Sequence, residues 1–147
     1  SPLVNELRQA AIRLLARREF SRAEIARRLS ALGTSEEIDQ VLSELQASGL
    51  QSDTRFAGAW LRGHAARHGL SRLRQDLRQR GIAESDIDAE LAGAGLPPEL
   101  ERARDIWSRK FGTPPADARE WARQARFLQS RGFSTDVIRR LLREFTA

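Results

Sequence analysis

Residues 52–82, SDTRFAGAWLRGHAARHGLSRLRQDLRQRGI, decide the fold. Phe56, Trp60 and His64 recur every four residues, with Ala57, Leu61 and Ala65 beside them. That spacing lays one broad apolar face along a helix. His68-Gly69-Leu70 interrupts it, and Leu73 and Leu77 then resume the helical period until Gly81. The remaining surface carries Arg55, Arg62, Arg67, Arg72, Arg74, Arg78 and Arg80 against only Asp53 and Asp76. This stretch predicts two short amphipathic helices with a strongly basic outer side.

The same plan extends on both sides. Ser1-Pro2 reads as an N-cap followed by proline at the first helical position. Leu3, Leu7, Ala11, Leu14 and Leu15 continue one face. Ser21 with Glu24, and Thr34 with Glu37, form capping boxes, in which the hydroxyl caps the first turn and the glutamate reaches back to the cap amide. Ile25 and Leu29, then Ile38, Val41, Leu42 and Leu45, line the two helices that follow. Aligning Gly33, Gly81 and Gly132 exposes an internal repeat: LSALGTSEEID, LRQRGIAESDID and LQSRGFSTDVIR, each with a leucine four residues before the glycine. These glycines are expected to supply left-handed C-caps that reverse the chain. Period-2 alternation is missing and β-branched residues are few. The expectation is an all-α protein: an elongated array of three tandem three-helix repeats of helix-turn-helix type, at 1–50, 51–96 and 97–147.

Composition narrows the chemistry. The 147 residues contain no cysteine, which excludes a disulfide framework and any thiolate nucleophile or metal site. No apolar run is long enough for a transmembrane helix, and the N-terminus has no signal-peptide pattern. A cytoplasmic location is expected, with no membrane partner. His64 and His68 lie four apart, but no third metal ligand stands at useful spacing. Gly93-Ala94-Gly95 lacks the strand and the Lys-Ser/Thr of a phosphate loop. No nucleophile elbow or triad motif occurs. Neither an enzyme nor a cofactor is expected. The aromatic residues Trp107, Phe111, Trp121, Phe127, Phe133 and Phe145 fall on apolar helical faces, so core packing is favoured over base stacking.

The formal net charge is +5, and it is uneven: the first 51 residues balance, whereas 52–82 and 101–147 are basic. All the basic side chains but Lys110 are arginines. Such a field suits an acidic partner. The candidate contacts are Arg62, Arg67, Arg74 and Arg78 in the second repeat and Arg119, Arg123, Arg126 and Arg131 in the third. These could grip phosphates, fork onto carboxylates of a protein groove, or stay solvated.

Taken in order, four blocks resemble the RecX family of regulatory proteins over essentially the whole chain. AIRLLARREFSRAEIARRLSALG (11–33) is similar to its opening block. SDTRFAGAWLR (52–62) is similar to its distinctive signature, here Asp53, Arg55, Phe56 and Ala57. LRQDLRQRGI (73–82) and RQARFLQSRGFSTDVIRRLL (123–142) resemble its second and third glycine blocks, around Gly81 and Gly132. In two places the chain departs: ARHGLSRLRQDL (66–77) is shorter than the family's lead into this helix and lacks its proline, and the Thr34–Ile38 link is one residue short. The resemblance implies three tandem three-helix units and a non-catalytic modulator of the RecA recombinase. Such a protein binds the RecA–DNA filament in its helical groove and alters ATPase, strand-exchange and coprotease activities, mainly by inhibition. A monomer that also meets single- and double-stranded DNA weakly and without sequence specificity is expected. The alternative from the residues alone is a helical-repeat protein that binds DNA directly without RecA, although no helix concentrates base-reading side chains in its first turns.

Overall fold

A computed structural model describes residues 2–145; Ser1, and with it the expected first N-cap, lies outside them. Among the described residues the secondary structure is nine α-helices: α1 (Pro2–Leu15), α2 (Arg22–Leu29), α3 (Ser35–Ala47), α4 (Asp53–His64), α5 (Leu70–Gln79), α6 (Glu84–Gly93), α7 (Glu99–Lys110), α8 (Ala118–Ser130) and α9 (Thr135–Arg143). Both expected capping boxes form. The Ser21 and Thr34 hydroxyls accept from the Glu24 and Glu37 amides at 3.1 Å, and the two carboxylates accept from the cap amides at 3.0 Å. Asp117 and Ser134 cap α8 and α9 with a single side-chain bond each, accepting from the Glu120 and Val137 amides.

The chain divides into two compact units, Ser1–Trp60 with Leu77–Gly93, and Leu61–Asp76 with Ala94–Ala147. The division runs through α4 and α5, so each unit holds one outer three-helix repeat and part of the middle one. In the first unit α1, α2 and α3 enclose Leu7, Ala11, Phe20, Ile25, Leu29, Val41, Leu42 and Leu45. Its share of the middle repeat contributes the buried Phe56, Ala57, Leu77, Ile82 and Ile87. The helices are too short to be stable in isolation, and burying these faces supplies the driving force.

In the second unit α7, α8 and α9 enclose Ala103, Ile106, Trp107, Leu128, Phe133, Val137, Ile138, Leu141 and Leu142. The aromatic residues pack here as expected: Phe145 stacks on Trp107 with centroids 4.5 Å apart, and Phe111 meets Phe127 edge-on at 5.4 Å. Gln124 is a buried polar residue among them. It accepts from the Trp107 indole at 2.7 Å and donates to the Thr113 carbonyl at 3.0 Å, so the buried amide is satisfied on both sides.

One expectation is corrected. Gly81 and Gly132 adopt left-handed φ values of 83° and 93°, but Gly33 does not. In the first repeat the left-handed glycine is Gly49, after α3. Gly33 is instead close to the α1 packing surface, where an added Cβ would lie 2.8 Å from a Leu7 methyl.

Candidate functional site

Asp53, Arg55 and Phe56 of the family-like signature, together with Gly81, are parts of a joint inside the first unit. Asp53, in the first turn of α4, accepts the backbone N–H of Arg22, the first residue of α2, at 2.9 Å. Its carboxylate thus sits at the positive end of a neighbouring helix. The same oxygen accepts from Gln51 at 3.0 Å, and this buried amide also donates to the Phe20 carbonyl. Arg55 donates to Glu19 at 3.1 Å and to the Leu50 carbonyl at 3.2 Å. Phe56 is buried beside Trp60. At the other end of the joint the wholly buried Ser21 hydroxyl donates to the Arg80 carbonyl at 2.7 Å. Gly81 faces Ala23 so closely that any Cβ would collide with it. The Arg80 guanidinium lies 3.7 Å above the Trp60 ring.

An equivalent joint exists inside the second unit. Glu99, in the first turn of α7, accepts the backbone N–H of Leu70, the first residue of α5, at 3.2 Å. The Gly69 N–H donates to the Arg131 carbonyl at 2.7 Å. A Cβ on Gly132 would lie 2.7 Å from the Arg72 nitrogen. Here a buried arginine is added. Arg102 donates to the Ala65 carbonyl at 3.0 and 3.2 Å and to the His68 carbonyl, closing the C-terminal end of α4. Burial lowers its pKa, opposed by nearby Glu99.

The eight candidate partner-binding arginines are placed unequally. Arg62, Arg119 and Arg126 are exposed and form no ion pair among the described residues. Arg123 is exposed but held by Glu120 at 2.8 and 2.9 Å, and these bonds lower the Glu120 pKa. Arg78 is likewise exposed and paired with Glu84. Arg74 is half-buried; it belongs to the second unit and Arg78 to the first. Arg67 and Arg131 come together in the second unit around a cavity of ≈ 270 Å³, whose other lining residues are Ile106, Arg109, Lys110 and Phe127. Arg109 and Lys110 were missed in the sequence. The available signal was the arginine–lysine pair closing α7, which holds the chain's one lysine.

The described residues contain no helix long and apolar enough to cross a membrane. Family models match in chain order: the first three-helix domain of RecX over residues 8–45, the second over 52–91 and the third over 98–142. The chain is 49% identical over 138 residues to the regulatory protein RecX of Leptothrix cholodnii, covering 93% of this chain and 87% of that one. It is 46% identical to the RecX of Chromobacterium violaceum, covering 92% and 88%. The crystal structure of RecX from Lactobacillus salivarius superposes with a TM-score of 0.82 at 18% identity, over 97% of this chain and 96% of that one, and so shares the fold. This chain belongs to the RecX family of regulatory proteins.

Proposed function

We propose that the protein is a non-catalytic, cytoplasmic regulator that binds RecA–DNA nucleoprotein filaments in their helical groove. Binding there modulates, mainly by inhibition, the ATPase, strand-exchange and coprotease activities of RecA, and hence DNA repair and recombination. The observation that carries this reading is family membership across all three helical domains. The charge distribution supports it: Arg62, Arg119 and Arg126 keep exposed guanidinium groups with no carboxylate partner among the described residues, which suits contact with an acidic polymer. The repeats at 1–50, 51–96 and 97–147 act together as a monomer, and no cofactor takes part. Arg62, Arg67, Arg74, Arg78, Arg119, Arg123, Arg126 and Arg131 supply the contacts to RecA and, weakly and without sequence preference, to DNA. The signature residues Asp53, Arg55, Phe56, Gly81 and Gly132 hold the repeats in register.

Co-sedimentation with RecA filaments, assembled on single-stranded DNA with a non-hydrolysable ATP analogue, tests the reading against the same DNA without RecA. Retention by the filament well above that by naked DNA is the expected result. Equal retention on both would make DNA the ligand and remove RecA from the account.

A further inference from the structure

We propose that the cavity at the C-terminal ends of α7 and α8 is a phosphate-binding site. It is lined by Arg67, Arg109, Lys110 and Arg131 over the apolar side chains Ile106 and Phe127. No carboxylate lines it, and none of the four cations forms an ion pair with a carboxylate among the described residues. Two of the cations are positioned by backbone carbonyls. Arg67 donates to Gly63 at 3.0 Å. Arg109 donates to Asp105 at 3.4 Å and to Ala66 at 3.3 Å. A guanidinium has five N–H donors, so each keeps several free for a ligand. The other two are steered by an aromatic ring: the Lys110 ammonium and the Arg131 guanidinium lie 5.3 and 5.1 Å from the Phe127 centroid.

The ends of α7 and α8 favour one cation each through their dipoles, which accounts for part of this charge. Four cations converging on one concavity exceed that need, and their mutual repulsion is relieved by an anion with several acceptor oxygens. A phosphate group matches in charge and donor geometry. A cavity of ≈ 270 Å³ admits one such group with its ester substituents. The apolar floor would favour a ligand whose sugar or base continues past the phosphate. This inference rests on the proposed encounter with filament DNA for a backbone phosphodiester as the source; a free phosphate or nucleotide would use the same chemistry.

The test uses the full chain without RecA, so that its outcome is separate from that of the filament experiment. Fluorescence anisotropy with a labelled single-stranded oligonucleotide would be followed over a salt series. Lys110→Gln and Arg67→Gln are compared with Arg139→Gln, an exposed arginine of α9 outside the cavity, and circular dichroism checks helicity. Each cavity variant should weaken binding about fivefold more than the control and flatten the log affinity–log salt slope by about 0.7. A second arm titrates inorganic phosphate and pyrophosphate against the bound oligonucleotide. Displacement beyond that by chloride of equal ionic strength identifies a site that takes free phosphate; no such displacement, with the variant effect intact, identifies a site for the diester in a strand. Cavity variants that match Arg139→Gln in both affinity and slope would overturn the proposal.

Discussion

The two joints of the molecule are built on one scheme and differ in how closely the backbones approach. In the first unit, Asp53 caps the amide of Arg22, and Ser21 reaches the Arg80 carbonyl through its hydroxyl. In the second unit, Glu99 caps the amide of Leu70, and the Gly69 amide itself reaches the Arg131 carbonyl. One joint is closed by a side chain and the other by main chain. A Cβ on Gly69 would lie 2.6 Å from the Gly132 carbonyl carbon, so no serine could stand there. The second joint instead carries a buried cation, Arg102, on the Ala65 and His68 carbonyls that follow α4. A repeated sequence pattern can thus keep its topology while exchanging side-chain bonds for backbone bonds.

The sharpest way to break this comparison is Gly132→Ala. A left-handed φ of 93° costs an L-residue about 1–2 kcal/mol, and the collision with the Arg72 backbone adds about 1–3. A loss of about 3–4 kcal/mol is expected in urea unfolding. Gly81→Ala meets mainly the Ala23 methyl and should lose about 2–3 kcal/mol. Gly33→Ala, without left-handed strain, should stay within about 1 kcal/mol of the parent. If the three losses came out equal, close approach would not be what distinguishes these glycines.

Arg102→Ala comes next. It leaves the Ala65 and His68 carbonyls without their donor and should cost about 2–3 kcal/mol, read as a lower thermal midpoint. Nothing of this size is expected from Arg55→Ala in the first joint, because that side chain is exposed.

Ser21→Ala removes both the cap of α2 and the bond to Arg80, for a loss of about 1–2 kcal/mol. Between the carboxylates, Asp53→Ala should cost about 1–2 kcal/mol and Glu99→Ala about 0.5, because Asp53 also satisfies the buried Gln51 amide. Hydrogen exchange at the Arg22 and Leu70 amides would report each loss locally. Equal costs would show that the Gln51 contact contributes nothing.

The smallest effect is a pH dependence confined to the second joint. Burial, then the nearby charge of Arg72, lowers the His68 pKa below its usual 6.5, while Asp76 opposes the shift. The unfolded chain therefore binds a proton that the folded chain resists. Stability should decline modestly as pH falls through about 6.5 and stop declining once the folded histidine titrates. Thermal midpoints between pH 5 and 7.5 should show a shallower slope for His68→Gln than for the parent.

Much of this was visible in the residues. Apolar spacing located the helices, Ser21/Glu24 and Thr34/Glu37 announced their caps, and the aligned glycines marked the repeat. These features rest on local interactions, whose partners lie within a few residues of each other. The joints were not visible in this way. Asp53 and Glu99 look like ordinary acidic residues in the first turn of their own helices, and the macrodipole of those helices already accounts for them. Only the fold brings their carboxylates to the first amides of α2 and α5. Gly33 was misjudged for the same reason: it resembles Gly81 and Gly132 in its neighbours, but not in its backbone conformation.

The candidate surface divides along the same line. Composition and charge spacing sufficed to single out the arginine-rich segments, and the four quoted blocks sufficed to suggest the family. Which cations are neutralised, as Arg78 and Arg123 are by Glu84 and Glu120, depends on rotamers and helix ends. Which converge, as Arg67 and Arg131 do with Arg109 and Lys110, depends on packing between residues far apart in the chain. Sequence alone determined the all-helical repeat, because helix propensity, capping and amphipathic period are local. Tertiary structure alone decided the joints and the basic cavity, because each arises where two distant helix ends meet and their unpaired backbone groups must find a partner.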